Sequence, residues 1–530
     1  VLFRSIVFSK MLCFFKLWSV IFLTTSLLAT VTVGLKVKEA KELIKLFNEK
    51  RSILHADIEL VADLDFSEAN LIFPLGAQPN GTCMRYSGVL HGNGHSIKNL
   101  VMNNTGNSDH GIKYEGAGLF CCVEDTTIEN IIIDKTCSFA GSGVGSLTVL
   151  VSGGLNLTNV TNQATISGQG GLGGFIGYIS EIKQEHKSLV FDECTNDGNV
   201  IGNDHNVAGF AGFIACEVPV HISISNCVNN GMITGGWVVG GFSGNVYDSG
   251  NMTLFNFTNN GNVTAIYELT GGFSAYFTSD SETTITNFIN NGNISSHNRY
   301  AGGFFGYGSL NSCLQTTISH SKNTGSITGT HQIGGFFGSI YSYTPSKTNA
   351  FKFINCENKG TTTAFKGKSC GFFCTNDEMS CNLESTIFNS INKGNINSGN
   401  NVSFGFSDVV SRARNVVSMG KINGTPTSNS FWSMSTETDL VYGLKDNCVN
   451  CHPSTTLFEY KTETGFYDVT GSGDHMHDVL NNEALKQRYG ATWTTDLELV
   501  RASSPSIGVV LIASPSLIFS MLLMSLFTLL

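Results

Sequence analysis

The chain has 530 residues, a formal net charge of −10, only 14% charged residues, 59 glycines, 37 phenylalanines and 8 prolines. Disorder is excluded, because a disordered chain needs more charge and fewer aromatics. Nucleic acid is excluded as a partner, because binding phosphate takes clustered cations and no basic run occurs.

Residues 1–34 read as a secretory signal peptide, with 1–10 an upstream extension. From Met11, MLCFFK is a short basic region, LWSVIFLTTSLLATVTV is apolar, and Thr32, Val33 and Gly34 supply small residues for cleavage. An uncleaved membrane anchor is the plainer alternative. In residues 35–56, KVKEAKELIKLFNEKR (36–51) has the apolar spacing of an amphipathic helix. IELVADLDF (58–66) then alternates as a strand does.

Residues 57–430 are dominated by an internal repeat, which takes precedence over any domain count from length. CTNDGNV (194–200), FTNNGNV (257–263) and FINNGNI (288–294) show its first signal, Asn-x-Gly between apolar residues. Aligned on the glycine, seven copies carry Asn196, Asn229, Asn259, Asn290, Asn323, Asn358 and Asn392, spaced 30 to 35 residues apart. A second signal runs in step, as in GGFIG (173–177), AGFAG (208–212), GGFSG (240–244) and GGFFG (302–306 and 334–338). Between them lie alternating stretches such as TTITNFIN, so each unit predicts short strands joined by tight corners and no helix. A unit this small buries its apolar face only by stacking on its neighbours, so the repeats form one solenoid of parallel sheets. The asparagine column is expected to form a structural ladder, each amide bonding the next coil's, with the left-handed backbone of a corner at Asn and at the following Gly. Phe175, Phe210, Phe242, Phe273, Phe304 and Phe336 are expected to stack inside it. Eleven or twelve coils about 4.8 Å apart make a rod roughly 50–60 Å long. Cys194, Cys227 and Cys356 share one interior column, where small buried residues or a Cys194–Cys227 bridge both fit.

The Gly-Gly-apolar-apolar-Gly blocks resemble those of right-handed parallel β-helix surface proteins with the GLUG-type repeat. The resemblance covers about residues 36–430 and makes SGVLHGNGHSIKNLVM (87–102) the first full coil, with GAGLFCCVEDTTIENIIID (116–134) continuing it. It implies an all-β, right-handed parallel β-helix with an N-terminal capping helix and a short C-terminal cap, at a cell surface or secreted. It often accompanies adhesion and implies no catalytic site.

Residues 431–500 leave the repeat and read as a C-terminal cap or stalk, with a helix at 477–490 and a final strand in ATWTTDLELV (491–500). CVNCH (448–452) has the spacing of a c-type haem attachment, and with His475 it has zinc-ligand types; a disulfide involving Cys448 and Cys451 is the plainer reading and the one adopted. No cofactor or metal is expected. Cys370 and Cys374 in CGFFC either bridge or pack. Residues 501–530 end in an uncharged apolar run behind RASSPS, which fits a GPI-attachment signal at Ser503 or Ser504 better than a membrane-spanning tail. Ten Asn-x-Ser/Thr sites, among them Asn159 and Asn256, are compatible with secretion.

Carboxylates do not recur at one strand position on adjacent coils, so no catalytic residues are assigned. HGNGHS (91–96) reads as a structural turn. The expected function is a surface-anchored adhesion or structural protein that binds a glycan or protein on another surface through variable loops such as EIKQEHKS (181–188) and YSYTPSKT (341–348). The alternative is a carbohydrate-active β-helix enzyme, which needs two carboxylates about 5–10 Å apart in a groove. A passive coat component is a third reading.

Overall fold

The structure is a computed structural model. It describes residues 34–407, apart from 50, 79–80, 105–115, 280, 311–314, 343–348, 376–382 and 400–402, and beyond them short strand segments within 412–501. The chain is a parallel β-solenoid. One coil is representative: His221–Asn229, Ile233–Gly235, Val238–Gly240 and Ser243–Ser249 each lie on a different side. The next coil then places Met252–Asn259 parallel to His221–Asn229, with Ile222 opposite Met252 and Asn229 opposite Asn259. Among the described residues the four parallel sheets so formed hold 21, 12, 9 and 10 strands in chain order around the coil. About nine coils are therefore complete, fewer than the eleven or twelve expected. The second side runs further, with twelve strands from Val101–Asn103 to Cys448–Val449.

Among the described residues there is one α-helix, Ala40–Glu49, followed by a 3-10 turn at Arg51–His55. The helix buries Ala40, Leu43 and Phe47, one face at helical spacing. The Phe47 ring packs 5.8 Å from Tyr86 and 5.7 Å from Phe120, so the helix rests on the first coils. The expected helix begins too early: Leu35–Val37 is a strand paired in parallel with Ile58–Leu60. The expected final strand at 491–500 is instead two short antiparallel strands, Ala491–Trp493 and Leu499–Arg501. The helix expected at 477–490 lies outside the described residues.

The long first side explains the repeat's odd alternation. In His221–Asn229, Ile222 and Ile224 point inward, and then Cys227 and Asn229 do. The phase slips by one residue at Asn226, which has φ 53°. The same slip recurs at Asn130, Asn159, Asn256, Asn287, Asn355 and Asn389, all with positive φ. This corrects the expected place of the left-handed corner: it lies three residues before the Asn of Asn-x-Gly, which itself has no positive φ, nor does its glycine. Asparagine suits the kink because its short amide tolerates that conformation. The kink amides also bond outside the coil, Asn256 to Asn226 and Asn287 to Asn256, both at 2.9 Å. Glu193 occupies the same column at φ 54°, where a carboxylate side chain gains no such tolerance. Glu193→Asn is therefore expected to raise stability by about 1 kcal/mol, read as a higher denaturant midpoint at unchanged slope; an unchanged or lower midpoint would count against this account of the column.

The Asn-x-Gly asparagines lie in the interior. Asn196, Asn229, Asn259, Asn290, Asn323, Asn358 and Asn392 are all fully buried, as is Asn162 (followed by Gln-Ala) one coil earlier in the same column. Each Nδ2 from Asn162 to Asn358 donates to the Oδ1 of the next, at 2.7–2.8 Å. From Asn196 onward, each Nδ2 also donates to the carbonyl of the glycine two residues later, as Asn259 does to Gly261 at 2.9 Å. Both glycine signals flank this line of amides. A β-carbon on Gly209, the first glycine of AGFAG (208–212), would lie 2.5 Å from Asn229 Oδ1, and one on Gly292 would lie 3.0 Å from Asn259 Nδ2. Two motifs separate in sequence are thus the two walls of one feature in space. Beside it runs a phenylalanine column, with Phe242 stacked on Phe210 and Phe273 at 5.0 Å, and Phe336 on Phe372 at 4.6 Å. Phe288 sits between Phe273 and Phe304.

Candidate binding cleft

The corner between the fourth side and the long side has little to do in the core, and side chains from several coils project there. Arg85 comes from the strand Arg85–Tyr86, and Glu124 follows Phe120–Val123. Ser152 and Gly153 follow Thr148–Val151, and Glu181 follows Ile176–Ile179. With Ile182, Lys183, Gln184 and Lys187 they line a cleft of about 210 Å³. The guanidinium of Arg85 sits between two carboxylates, Nη1 3.7 Å from Glu124 Oε1 and Nη2 3.4 Å from Glu181 Oε2. Lys187 Nζ reaches Asp125 Oδ2 at 2.7 Å, tying the end of the loop to the rim. Burial pulls the Asp125 carboxyl up, but the Lys187 ammonium and the Gly154 amide outweigh it and hold it below the usual carboxylate range.

The cleft is built on a stiffened floor. A Cys83–Cys121 disulfide joins the segment before Arg85 to the next coil, with Cα atoms 5.6 Å apart. Beneath lie Tyr86, whose hydroxyl donates to the Ala56 carbonyl, and the buried thiol of Cys122, which contacts Ser152 Oγ at 3.4 Å. Glu181 and His186 both have positive φ, at 63° and 65°. For residues that are neither Gly nor Asn this backbone costs about 1–2 kcal/mol each, and such cost is typical of loops shaped for contact.

The loop 181–188 was singled out in the sequence and does line the cleft; Arg85 and Glu124 were not. Arg85 and Glu181 are 96 residues apart, and Ser152 and Gly153 take the coil between the two carboxylates. A search for carboxylates on adjacent coils passes over that arrangement. The guanidinium stands where a glycosidic bond would have to lie between the two acids. The loop 341–348 lies almost wholly outside the described residues.

Other candidate residues are placed as follows. HGNGHS makes a tight turn, with positive φ at Asn93 and Gly94, and its histidines face carboxylates of neighbouring coils: His91 Nδ1 lies 2.7 Å from Glu129 and His95 Nδ1 3.4 Å from Asp63. Cys370 and Cys374 form a disulfide, while Cys194, Cys227 and Cys356 are buried free thiols. The possible Cys194–Cys227 bridge is therefore absent. Cys448 lies in a strand paired with Ile422–Asn423. Cys451, Ser503 and Ser504 lie outside the described residues. Among those residues no helix is long and apolar enough to cross a membrane.

No family model and no curated protein matches the chain. Among solved structures it is similar to one described as a "putative immunoglobulin A1 protease" from Bacteroides ovatus, at 17% identity over 56% of this chain and 77% of that one. The TM-score of that pair is 0.36.

Proposed function

We propose that this chain is a non-catalytic binding rod anchored at a cell surface, which contacts a glycan or protein on another surface. In this reading residues 1–34 direct secretion and 501–530 direct lipid attachment at Ser503 or Ser504. The solenoid is a right-handed GLUG-type β-helix spanning 57–430. The segment 35–56 covers its entry, and 431–500 forms a C-terminal cap pinned by Cys448 and Cys451. The asparagine ladder is structural. The cleft under loop 181–188 carries the reading. It gathers charged groups from separate coils on a disulfide-braced floor, at a corner where solenoid packing does not require them.

Replacing residues 183–186 with a Gly-Ser linker tests it. Adhesion of cells displaying the full chain is expected to fall at least several-fold with the melting curve unchanged; adhesion equal to that of the parent chain would remove the main support. One observation favours the enzyme reading instead, the pair Glu124 and Glu181 in one cleft. Turnover of a polysaccharide that is lost in both Glu124→Gln and Glu181→Gln would establish it.

A further inference from the structure

Aromatic rings line the outside of the solenoid as well as its core. On the corner between the second and third sides, consecutive coils place His205, Trp237 and Tyr267 in a row. His205 and Trp237 lie parallel within 5°, centroids 5.3 Å apart, and Tyr267 follows 4.9 Å from Trp237. Tyr267 is 46% exposed. On the outer face of the fourth side, Tyr276 and Tyr307 are register partners and stack at 5.4 Å. Tyr300, at the start of the third side, stacks on Tyr307 at 5.5 Å and joins that face to the corner. The glycine blocks bring the two surfaces together: a β-carbon on Gly306 would lie 2.7 Å from the carbonyl oxygens of Thr270 and Ala275.

The spacing decides what these rings offer. Parallel rings cannot approach much closer than about 3.5 Å between planes. At a centroid separation of 5.3 Å the two planes can therefore be offset sideways by at most about 4 Å. His205 and Tyr267 are exposed and Trp237 is partly exposed, so the row is open to solvent. Around them stand hydrogen-bonding groups, Asp204 against His205 and Glu268 paired with Arg299 at 3.3 Å.

We infer that this outer aromatic strip is a binding platform for an uncharged polysaccharide. Sugar rings have one apolar C–H face and a rim of hydroxyls, which suits solvent-exposed aromatic rings beside carboxylates and a guanidinium. A platform that repeats once per coil suits a polymer that repeats along its length. The charge argues against a polyanion: Asp204 and Glu268 flank the rings, and the chain carries a net charge of −10. The inference is independent of the cleft at loop 181–188, and loss of either leaves the other standing.

Affinity electrophoresis of the full chain through gels containing xylan, galactomannan or laminarin, with heparin and alginate as polyanions, tests it. Trp237 supplies a second readout through its fluorescence. At least one uncharged polysaccharide is expected to retard the chain and perturb the fluorescence, with Trp237→Leu weakening retardation about tenfold at an unchanged melting curve. Tyr307→Leu is expected to weaken it as well, guarding against an effect local to one side chain. Retardation by polyanions alone, by none of the polymers, or to the same degree in both variants as in the parent chain would overturn the inference.

Discussion

Asn259→Ala is expected to destabilise the solenoid by about 3–5 kcal/mol. In the fully buried ladder, Asn259 Nδ2 donates to Asn290 Oδ1 at 2.7 Å and to the Gly261 carbonyl at 2.9 Å, while its Oδ1 accepts from Asn229 Nδ2 at 2.7 Å. Alanine removes all three bonds. It strips the side-chain donor from Asn290 Oδ1 and from the Gly261 carbonyl, and leaves Asn229 Nδ2 with only the Gly231 carbonyl. A buried polar group without its partner costs more than the bond itself was worth, so one truncation is felt in three coils. Asn259→Asp, which keeps the shape, is expected to be at least as harmful, because it sets a carboxylate oxygen against two acceptors. Asn162, at the ladder's start, has Ile133 opposite it on the preceding coil, so Asn162→Ala breaks one inter-coil amide bond instead of two and should cost less. Because solenoid stability is close to a sum over neighbouring coils, amide hydrogen exchange is the sharper readout. Protection should fall most from about Asn229 to Gly292. Equal loss along the whole chain, or no loss, would contradict the ladder's role.

Gly209→Ala is expected to cost about 3 kcal/mol, a large penalty for one methyl group. Its β-carbon would stand 2.5 Å from Asn229 Oδ1 and collide with the Gly241 carbonyl oxygen of the next coil. Neither obstacle yields, since one is fixed by the ladder and the other is backbone. Pairing the substitution with Asn229→Ala separates this account from a simple loss of backbone freedom. If the methyl group clashes with the amide, the double variant should be less damaged than the two single costs added together, by about 1 kcal/mol or more. Strict additivity would mean that the glycine and the asparagine are required for unrelated reasons.

Much of the fold was legible because the sequence repeats. The Asn-x-Gly column, the glycine–phenylalanine block and the absence of helical spacing each point to stacked parallel strands. The division of roles between neighbouring asparagines was not legible. In TTITNFINNG, Asn287 makes the kink at φ 59° and Asn290 makes the buried ladder, yet both are the same residue type three positions apart. Only Asn290 leads the Asn-x-Gly motif, which draws both the ladder and the left-handed corner to it and hides Asn287. The alternation carried a clue, since its phase breaks at the kink. The cleft was half legible: its loop stands out as a charged insertion in a chain with few charges, but Arg85 and Glu124 gain meaning only when coils distant in sequence lie side by side. The outer aromatic strip was hidden for a related reason. Trp237 and Tyr307 look like core residues in a chain rich in buried phenylalanine, and only register shows that they face outward.

In the proposed reading this solenoid works outside the cell, held at the membrane through residues 501–530. The most direct test places an epitope tag after Gly34, labels the surface of intact cells and treats them with a phosphatidylinositol-specific phospholipase. The expected result is surface label that the phospholipase releases into the medium. Absence of surface label on intact cells, with the tag detected after permeabilisation, would contradict the account.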